Sequence, residues 1–312
     1  LEMMAGAMKP IVGIGELLWD VYPDGRKVAG GAPFNFVFHC QQLGHPAVIV
    51  SRVGHDAWGH ELRAQVRTLG LSDQFVQVDE EHPTGSVQIH VDNEGIPNYT
   101  ITADAAWDWI TWSEDLDDLA RHCWCVCFGT LGQRSERSRN TIHQFLRTHA
   151  AGGPGRPFRI LDVNIRQSDL SEAVLRASLA QAEWVKLNTA EAAVLAHSLR
   201  YSLDTPRQFL QHFIAHSVAQ NRCVMWTHGE AGCDVWTYDD QFHVPAVRAD
   251  VVDTVGAGDA FTAAMVCLYR EGQPLRECAR FATHYAAWVC QYQGATPRID
   301  RAEVERAMAS SP

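Results

Sequence analysis

Basic residues are in short supply in this chain. Its 26 Lys and Arg stand against 37 Asp and Glu, a formal net charge of −11. That balance argues against nucleic acid or an anionic membrane as a partner, because both are held by surplus positive charge. A nucleotide is not excluded, since backbone N–H groups and a few local cations are enough to cradle phosphates. Long apolar runs are missing too: none approaches the ~20 residues of a membrane-spanning helix. The opening Leu1-Glu2-Met3-Met4-Ala5-Gly6-Ala7 has no apolar signal-peptide core. Residues 1–8 are therefore expected to be disordered or left over from expression, with ordered structure from Lys9 onward.

Several catalytic signatures are absent. There is no G-x-x-x-x-G-K-[ST] phosphate loop, and after Gly13-Ile14-Gly15 a leucine, Leu18, occupies the place of the third glycine of a dinucleotide fingerprint. Walker-type and nicotinamide chemistry are both disfavoured. The fifteen histidines show no H-E-x-x-H spacing and the nine cysteines no disulfide framework. Cys123, Cys125 and Cys127 alternate with other residues, so on a strand all three thiols face one side. They read as buried free cysteines, and free thiols imply a reducing, cytoplasmic setting.

What the chain does have is a 46% hydrophobic content, ample for a large core, and a repeating βα pattern. Strands are expected at 11–15, 47–53, 123–128, 158–163, 184–187 and 222–226, with helices at 34–43 and 58–69 and from 257 and 275. A hairpin of strands at 85–92 and 98–102, turning at Asn93-Glu94-Gly95, interrupts the alternation. A second β pair at 234–238 and 241–244 precedes the last helices. Gly152-Gly153-Pro154-Gly155 is a loop inside the alternation, and no linker divides the chain. This predicts an α/β fold with a mostly parallel sheet and ligands at the carboxyl ends of its strands.

The most informative segment is Asp253-Thr254-Val255-Gly256-Ala257-Gly258-Asp259-Ala260-Phe261. Two glycines precede a helical apolar run, and free N–H groups at a helix start make an anion site. A carboxylate, Asp259, stands in that first turn. It does not help hold phosphate, because like charges repel, but it makes sense as a base taking a proton from an attacking hydroxyl. A plain helix start with Asp259 offsetting the macrodipole is the competing account.

Extended to D-T-V-G-A-G-D-A-F, the segment resembles the C-terminal signature of the ribokinase-like sugar kinases, the phosphofructokinase B family. Gly15-Glu16-Leu17-Leu18-Trp19-Asp20 followed by Gly30-Gly31-Ala32-Pro33-Phe34-Asn35 resembles the N-terminal half of that family, especially its bacterial fructokinases. The resemblance runs from about residue 11 to 297 with motifs in the family's order. It implies one three-layer α/β/α kinase domain over residues 9–312, with a small β-lid formed by segments 18–30 and 84–110.

The resemblance implies roles residue by residue. Asp20, Gly31 and Asn35 contact sugar hydroxyls, and an acceptor carboxylate with an amide suits a polyol. Asp162-Val163-Asn164-Ile165-Arg166 resembles the fructokinase D-x-N-x-R, making Arg166 a phosphate or sugar contact. Trp107 in Ala106-Trp107-Asp108 either reaches the sugar or belongs to the lid core. Asn188-Thr189-Ala190-Glu191 matches the N-x-x-E that orders magnesium and its waters, and it also reads as an ordinary capping box. Thr227, Gly229 and Gly232 match the nucleotide-side T-x-G-x-x-G, in which His228 is untypical. Gly256, Ala257 and Gly258 supply N–H groups to the transferring phosphoryl, and Asp253 with the Val255 carbonyl is a candidate potassium site. Phe34 and Phe36 stand where relatives often carry small residues.

The expected activity is transfer of the γ-phosphate of Mg-ATP to the primary hydroxyl of a small sugar, with fructose to fructose 6-phosphate favoured. The expected partners are ATP and the sugar, with a homodimer through the lids in prospect. Kinases for 2-keto-3-deoxygluconate, ribose or a nucleoside share these motifs. A non-catalytic sugar sensor is the rival of another class, and Asp259 speaks against it because binding alone needs no base.

Overall fold

The computed structural model describes residues 8–91, 97–150, 158–165, 171–199, 205–215 and 223–310. The expected turn at 93–95, the loop at 152–155 and Arg166 lie outside the described residues, as does the segment 1–7. The chain forms two compact units, Leu1–Val126 with Gly132–Pro157, and Cys127–Leu131 with Phe158–Pro312.

The first unit is built on β1 (Ile11–Ile14), β2 (Leu18–Val21), β3 (Lys27–Gly30), β4 (Ala47–Gly54), β5 (Val76–Asp79), β6 (Ser86–Val91) and β7 (Pro97–Ile101). The start of β8 (Cys125–Gly129) also belongs to it. Strand order β8-β1-β4-β5 forms one layer, with β1 parallel to β4 and β4 parallel to β5. All four residues of β1 are buried, as a parallel strand covered on both faces requires. A separate four-stranded sheet has the order β3-β2-β6-β7. Its hairpins β2–β3 and β6–β7 are antiparallel, and β2 runs parallel to β6.

Four helices complete this unit: α1 (Ala32–Gln42), α2 (Ala57–Thr68), α3 (Glu114–His122) and α4 (Glu136–Ala150). Asp56 caps α2 by accepting from the Gly59 N–H at 2.7 Å, and Leu62 and Val66 form its buried stripe. Because α3 runs to His122, Cys123 is its C-cap and not a strand residue, which corrects the expected three-cysteine strand. The Cys123 N–H bonds the Leu119 carbonyl at 2.8 Å, and its Sγ lies 3.1 Å from His149 Nδ1. Cys125 and Cys127 do lie in β8, and all three cysteines are buried and in no disulfide.

The second unit carries β9 (Phe158–Asp162), β10 (Trp184–Asn188), β11 (Cys223–Thr227), β12 (Cys233–Trp236) and β13 (Gln241–Val244), neighbours in that order. The pairs β9–β10 and β10–β11 are parallel; β11–β12 and β12–β13 are antiparallel. Its helices are α5 (Glu172–Gln181), α6 (Thr189–Ser198), α7 (Pro206–Ala215), α8 (Ala257–Arg270), α9 (Leu275–Val289) and α10 (Arg301–Ser310). Helices α8 and α9 pack on each other, and Met265, Phe281 and Tyr285 are among their buried residues. The short strands β2, β3 and β5 and the terminal α10 go beyond the elements expected from periodicity.

Candidate active site

In the first unit the candidate sugar residues cluster around the β2–β3 hairpin and the start of α1. Asp20 lies on β2 opposite Val28, and its carboxylate rests against the bare Cα of Gly30, where a side chain would collide with it. Gly31 is the N-cap of α1 with φ 113°, and a Cβ there would run into the Glu16 carbonyl. Pro33 in the first turn presets the helix, which brings Asn35 to a buried position on it. Glu16, in the turn between β1 and β2, is also buried. Phe34 and Phe36 are fully buried in the packing of α1.

Trp107 lies in a 3₁₀ turn, Ala106–Trp109, and is completely buried. Its ring lies against Gly85, where a Cβ would stand 2.6 Å from the indole Cδ1. The Arg134 guanidinium stacks 3.8 Å from the ring centroid and donates to both Asp108 carboxylate oxygens, at 2.8 and 2.6 Å. Such burial and stacking suit the lid-core reading of Trp107 better than a sugar contact.

In the second unit the phosphate-side residues gather at the carboxyl ends of β9, β10 and β11. Gly256 caps α8 with φ 78°, and a Cβ there would stand 2.6 Å from that of Ala295. No side chain caps this helix; the Ala257 N–H makes a long bond to the Thr254 carbonyl at 3.3 Å, and the positive dipole end favours an anion. Asp259 lies in that first turn and is partly exposed. Asp253 accepts from the Val255 N–H at 3.0 Å and from the Gly294 N–H at 2.9 Å, tying the motif to the Gly294-Ala295 segment.

Directly beneath the motif is a residue that the sequence reading passed over. The Lys186 ammonium lies 2.6 Å from where a Gly258 Cβ would stand, so the glycine makes room for it. It donates to Asp162 Oδ1 at 3.2 Å, and both side chains are buried. Burial by itself would lower the pKa of Lys186, but the charges of Asp162, Glu191 and Asp259 outweigh it and raise it above the usual lysine value. Its signal in the sequence is a lysine inside the apolar run Trp184-Val185-Lys186-Leu187, where an unpaired charge is not tolerated.

Asn188 and Glu191 form a capping box at the start of α6. Asn188 Oδ1 accepts from the Glu191 N–H at 2.9 Å, and Glu191 Oε2 accepts from the Asn188 N–H at 2.8 Å. Glu191 Oε1 accepts the Ile165 N–H at 3.2 Å. Burial pushes the Glu191 carboxyl above its usual range, although Lys186 pulls against it. The capping reading is therefore realised, and each Glu191 oxygen keeps a lone pair. Among the described residues no three His, Cys, Asp or Glu side chains converge to ligate a metal directly. With that donor set, magnesium fits through its waters and through phosphate oxygens.

Thr227 ends β11 in register with Asn188, its hydroxyl donating to the Leu187 carbonyl at 3.3 Å. Gly229 and Gly232 turn the chain back into β12, closed by a Gly232 N–H bond to the Gly229 carbonyl at 3.0 Å. The sequence-expected phosphate-side residues are thus brought together within this unit. Asp20, Gly31 and Asn35 are likewise grouped within theirs.

The sequence profile of the pfkB family carbohydrate kinases matches residues 22–301. The chain belongs to that family. As pfkB carbohydrate kinases are phosphotransferases, it is a sugar kinase. The profile covers Gly31, Asn35, Glu191 and the whole glycine motif, while Asp20 lies just before its start. A fructokinase of Vibrio alginolyticus is 28% identical over 270 residues, covering 82% of this chain and 83% of that protein. An uncharacterised sugar kinase of Pyrococcus horikoshii, solved in complex with ATP, is 26% identical, with a TM-score of 0.78 over 94% of this chain and 96% of its own. A fructokinase of Xylella fastidiosa with bound ATP reaches a TM-score of 0.84 over 97% and 99% of the two chains. At 20% identity that likeness shows the fold alone, a ribokinase-like α/β fold with a largely parallel central sheet. The pfkB kinase has, among its described residues, no helix long and apolar enough to cross a membrane.

Proposed function

We propose that this pfkB kinase transfers the γ-phosphate of ATP to the primary 6-hydroxyl of fructose. The observation that carries the reading is the uncapped start of α8, with glycine at its cap, Asp259 in its first turn and the Lys186 ammonium beneath it. Asp259 accepts the proton of the attacking hydroxyl as its oxygen bonds to the γ-phosphorus and ADP departs. The N–H groups of Gly256, Ala257 and Gly258 and the Lys186 charge offset the negative charge on the transferring phosphoryl, the Val255 N–H being held by Asp253. Asn188 and Glu191 would hold magnesium through its waters, and the ion would supply positive charge against the phosphates. Thr227, Gly229 and Gly232 hold the nucleotide, and Asp20, Gly31 and Asn35 hold the sugar. Asp253 is assigned a potassium contact, Arg166 a phosphate or sugar contact.

Fructose is favoured by the fructokinase relatives and by the Gly15–Asp20 and Gly30–Asn35 motifs. We assign the chain a single kinase domain with the β3-β2-β6-β7 sheet as its lid, a cytoplasmic setting, and lid-to-lid dimers. The experiment is ADP release from Mg-ATP across fructose, ribose, glucose, 2-keto-3-deoxygluconate and adenosine. Selective turnover of fructose is expected. Selective turnover of another substrate keeps the mechanism and refutes fructose; turnover of none refutes the sugar-side assignment.

A further inference from the structure

The nucleotide-side loop carries one residue that the mechanism above leaves unused. His228 follows Thr227 in the turn Thr227–Gly232, and its ring has a partner on each nitrogen. Nδ1 lies 3.0 Å from the Thr189 hydroxyl, and Nε2 lies 3.3 Å from Asp234 Oδ2. The ring thus stands between the Thr189 hydroxyl and the Asp234 carboxylate, which can only accept; the tautomer with the proton on Nε2 suits both neighbours.

Asp234 is a fixed anchor. It is buried on β12, its Oδ1 accepts from His243 Nδ1 at 2.8 Å, and its Oδ2 accepts from Arg207 Nη2 at 3.1 Å. The Trp226 ring stands edge-on to His228 with centroids 4.4 Å apart, which leaves the imidazole little freedom. The backbone of the turn is closed on itself as well, the His228 N–H bonding the Gly232 carbonyl at 2.8 Å. The other end of the bridge, Thr189, is the residue after Asn188, at the start of α6. His228 therefore links two loops that leave the carboxyl ends of adjacent parallel strands, β10 and β11, the edge where α/β enzymes bind ligands.

We propose that His228 is a positioning residue. Its imidazole, braced by Asp234, pins the Thr227–Gly232 turn to the Asn188–Glu191 helix start and so preorganises the nucleotide side of the site. This rests on the kinase reading, in which both loops serve ATP. A linked pair of loops loses less freedom when the nucleotide binds, and the gain is expected in ATP affinity and not in the chemical step.

The test uses the full chain and four variants: Thr189→Ala, Thr189→Ser, His228→Phe and the double variant of Thr189→Ala with His228→Phe. Thr189 is exposed, so its replacement does not endanger folding. Mg-ATP affinity is measured by calorimetry without sugar, alongside the KM for ATP, the KM for sugar, kcat and the unfolding midpoint. Thr189→Ala is expected to weaken ATP binding on the order of 3–10-fold, the worth of one hydrogen bond. The sugar KM, kcat and the midpoint should stay within about 2-fold or about 2 °C of the parent, and Thr189→Ser should restore ATP affinity. The double variant should bind ATP no worse than His228→Phe alone, because both remove one bridge. Unchanged ATP affinity in Thr189→Ala, or effects that add in the double variant, overturns the proposal. If the parent binds ATP but turns over no sugar, the proposed function fails while the affinity ratios still decide the bridge. A parent that binds no ATP overturns both.

Discussion

Replacing Lys186 by Met separates the two things that the buried ammonium does. The side chains have similar length, so the substitution removes a charge and leaves little cavity. Asp162, buried at 4% exposure, then loses the partner 3.2 Å away, and Glu191 loses the charge that pulls against its upward-shifted pKa. Breaking a buried pair by deleting one member costs about 3–5 kcal/mol, a large share of the roughly 5–15 kcal/mol that holds a protein folded. Urea unfolding at pH 7.5 measures that loss. Turnover at a temperature where the variant remains folded should fall on the order of 10²-fold, as for removal of one preorganised charge partner of a developing anion. Adding Asp162→Asn removes the stranded carboxylate, so the double variant should regain most of the stability and none of the turnover. If the double variant recovers turnover, the lysine serves only its ion pair and its role toward phosphate is refuted. A single variant as stable as the parent would refute the account of the buried pair.

Three further outcomes follow from the same geometry. Asp259→Asn should lower kcat by roughly 10²–10⁴-fold with ATP and sugar affinity spared, read by steady-state kinetics; near-normal turnover would remove Asp259 from the chemistry. Asp20→Ala should raise the sugar KM about 10–100-fold with the ATP KM unchanged, the loss expected for a charged hydrogen-bond acceptor. Asp56 accepts from the Gly59 N–H at 2.7 Å, the Thr84 N–H at 2.8 Å and the Thr84 hydroxyl at 2.7 Å. Burial pushes its carboxyl up, but these bonds together outweigh that and hold it below the usual carboxylate value. A depressed folded pKa contributes stability above the unfolded value that is lost as pH falls through the folded one. Asp56→Asn should therefore cost about 1–3 kcal/mol in urea unfolding at pH 7 and progressively less below about pH 4. A gap that does not shrink with acid would contradict the assignment.

Periodicity and glycine placement carried much of this protein's architecture. The apolar run Ile11–Ile14, the Pro33 helix start and the D-T-V-G-A-G-D-A-F segment each announce a local structure through steric limits that act over a few residues. These were sufficient for the α/β class, for the hairpin and for the uncapped helix start with its carboxylate. The four-residue strands β2 and β5, unlike the apolar β1, mix polar and apolar residues and were beyond periodicity, because two alternations do not distinguish a strand from a loop. Cys123 was misplaced for a related reason, since nothing local marks where α3 yields to β8.

What tertiary structure alone decided is which charges meet. Asp162, Lys186, Glu191 and Asp259 are spread over nearly a hundred residues, and only the parallel register of β9 and β10 with the α8 start brings them together. In the same way His228 acquires two partners, Thr189 and Asp234, on two different elements. Sequence determines residue types and their local geometry through short-range sterics. Electrostatic energy depends on distance and burial, and both are set when strands far apart in the chain are paired.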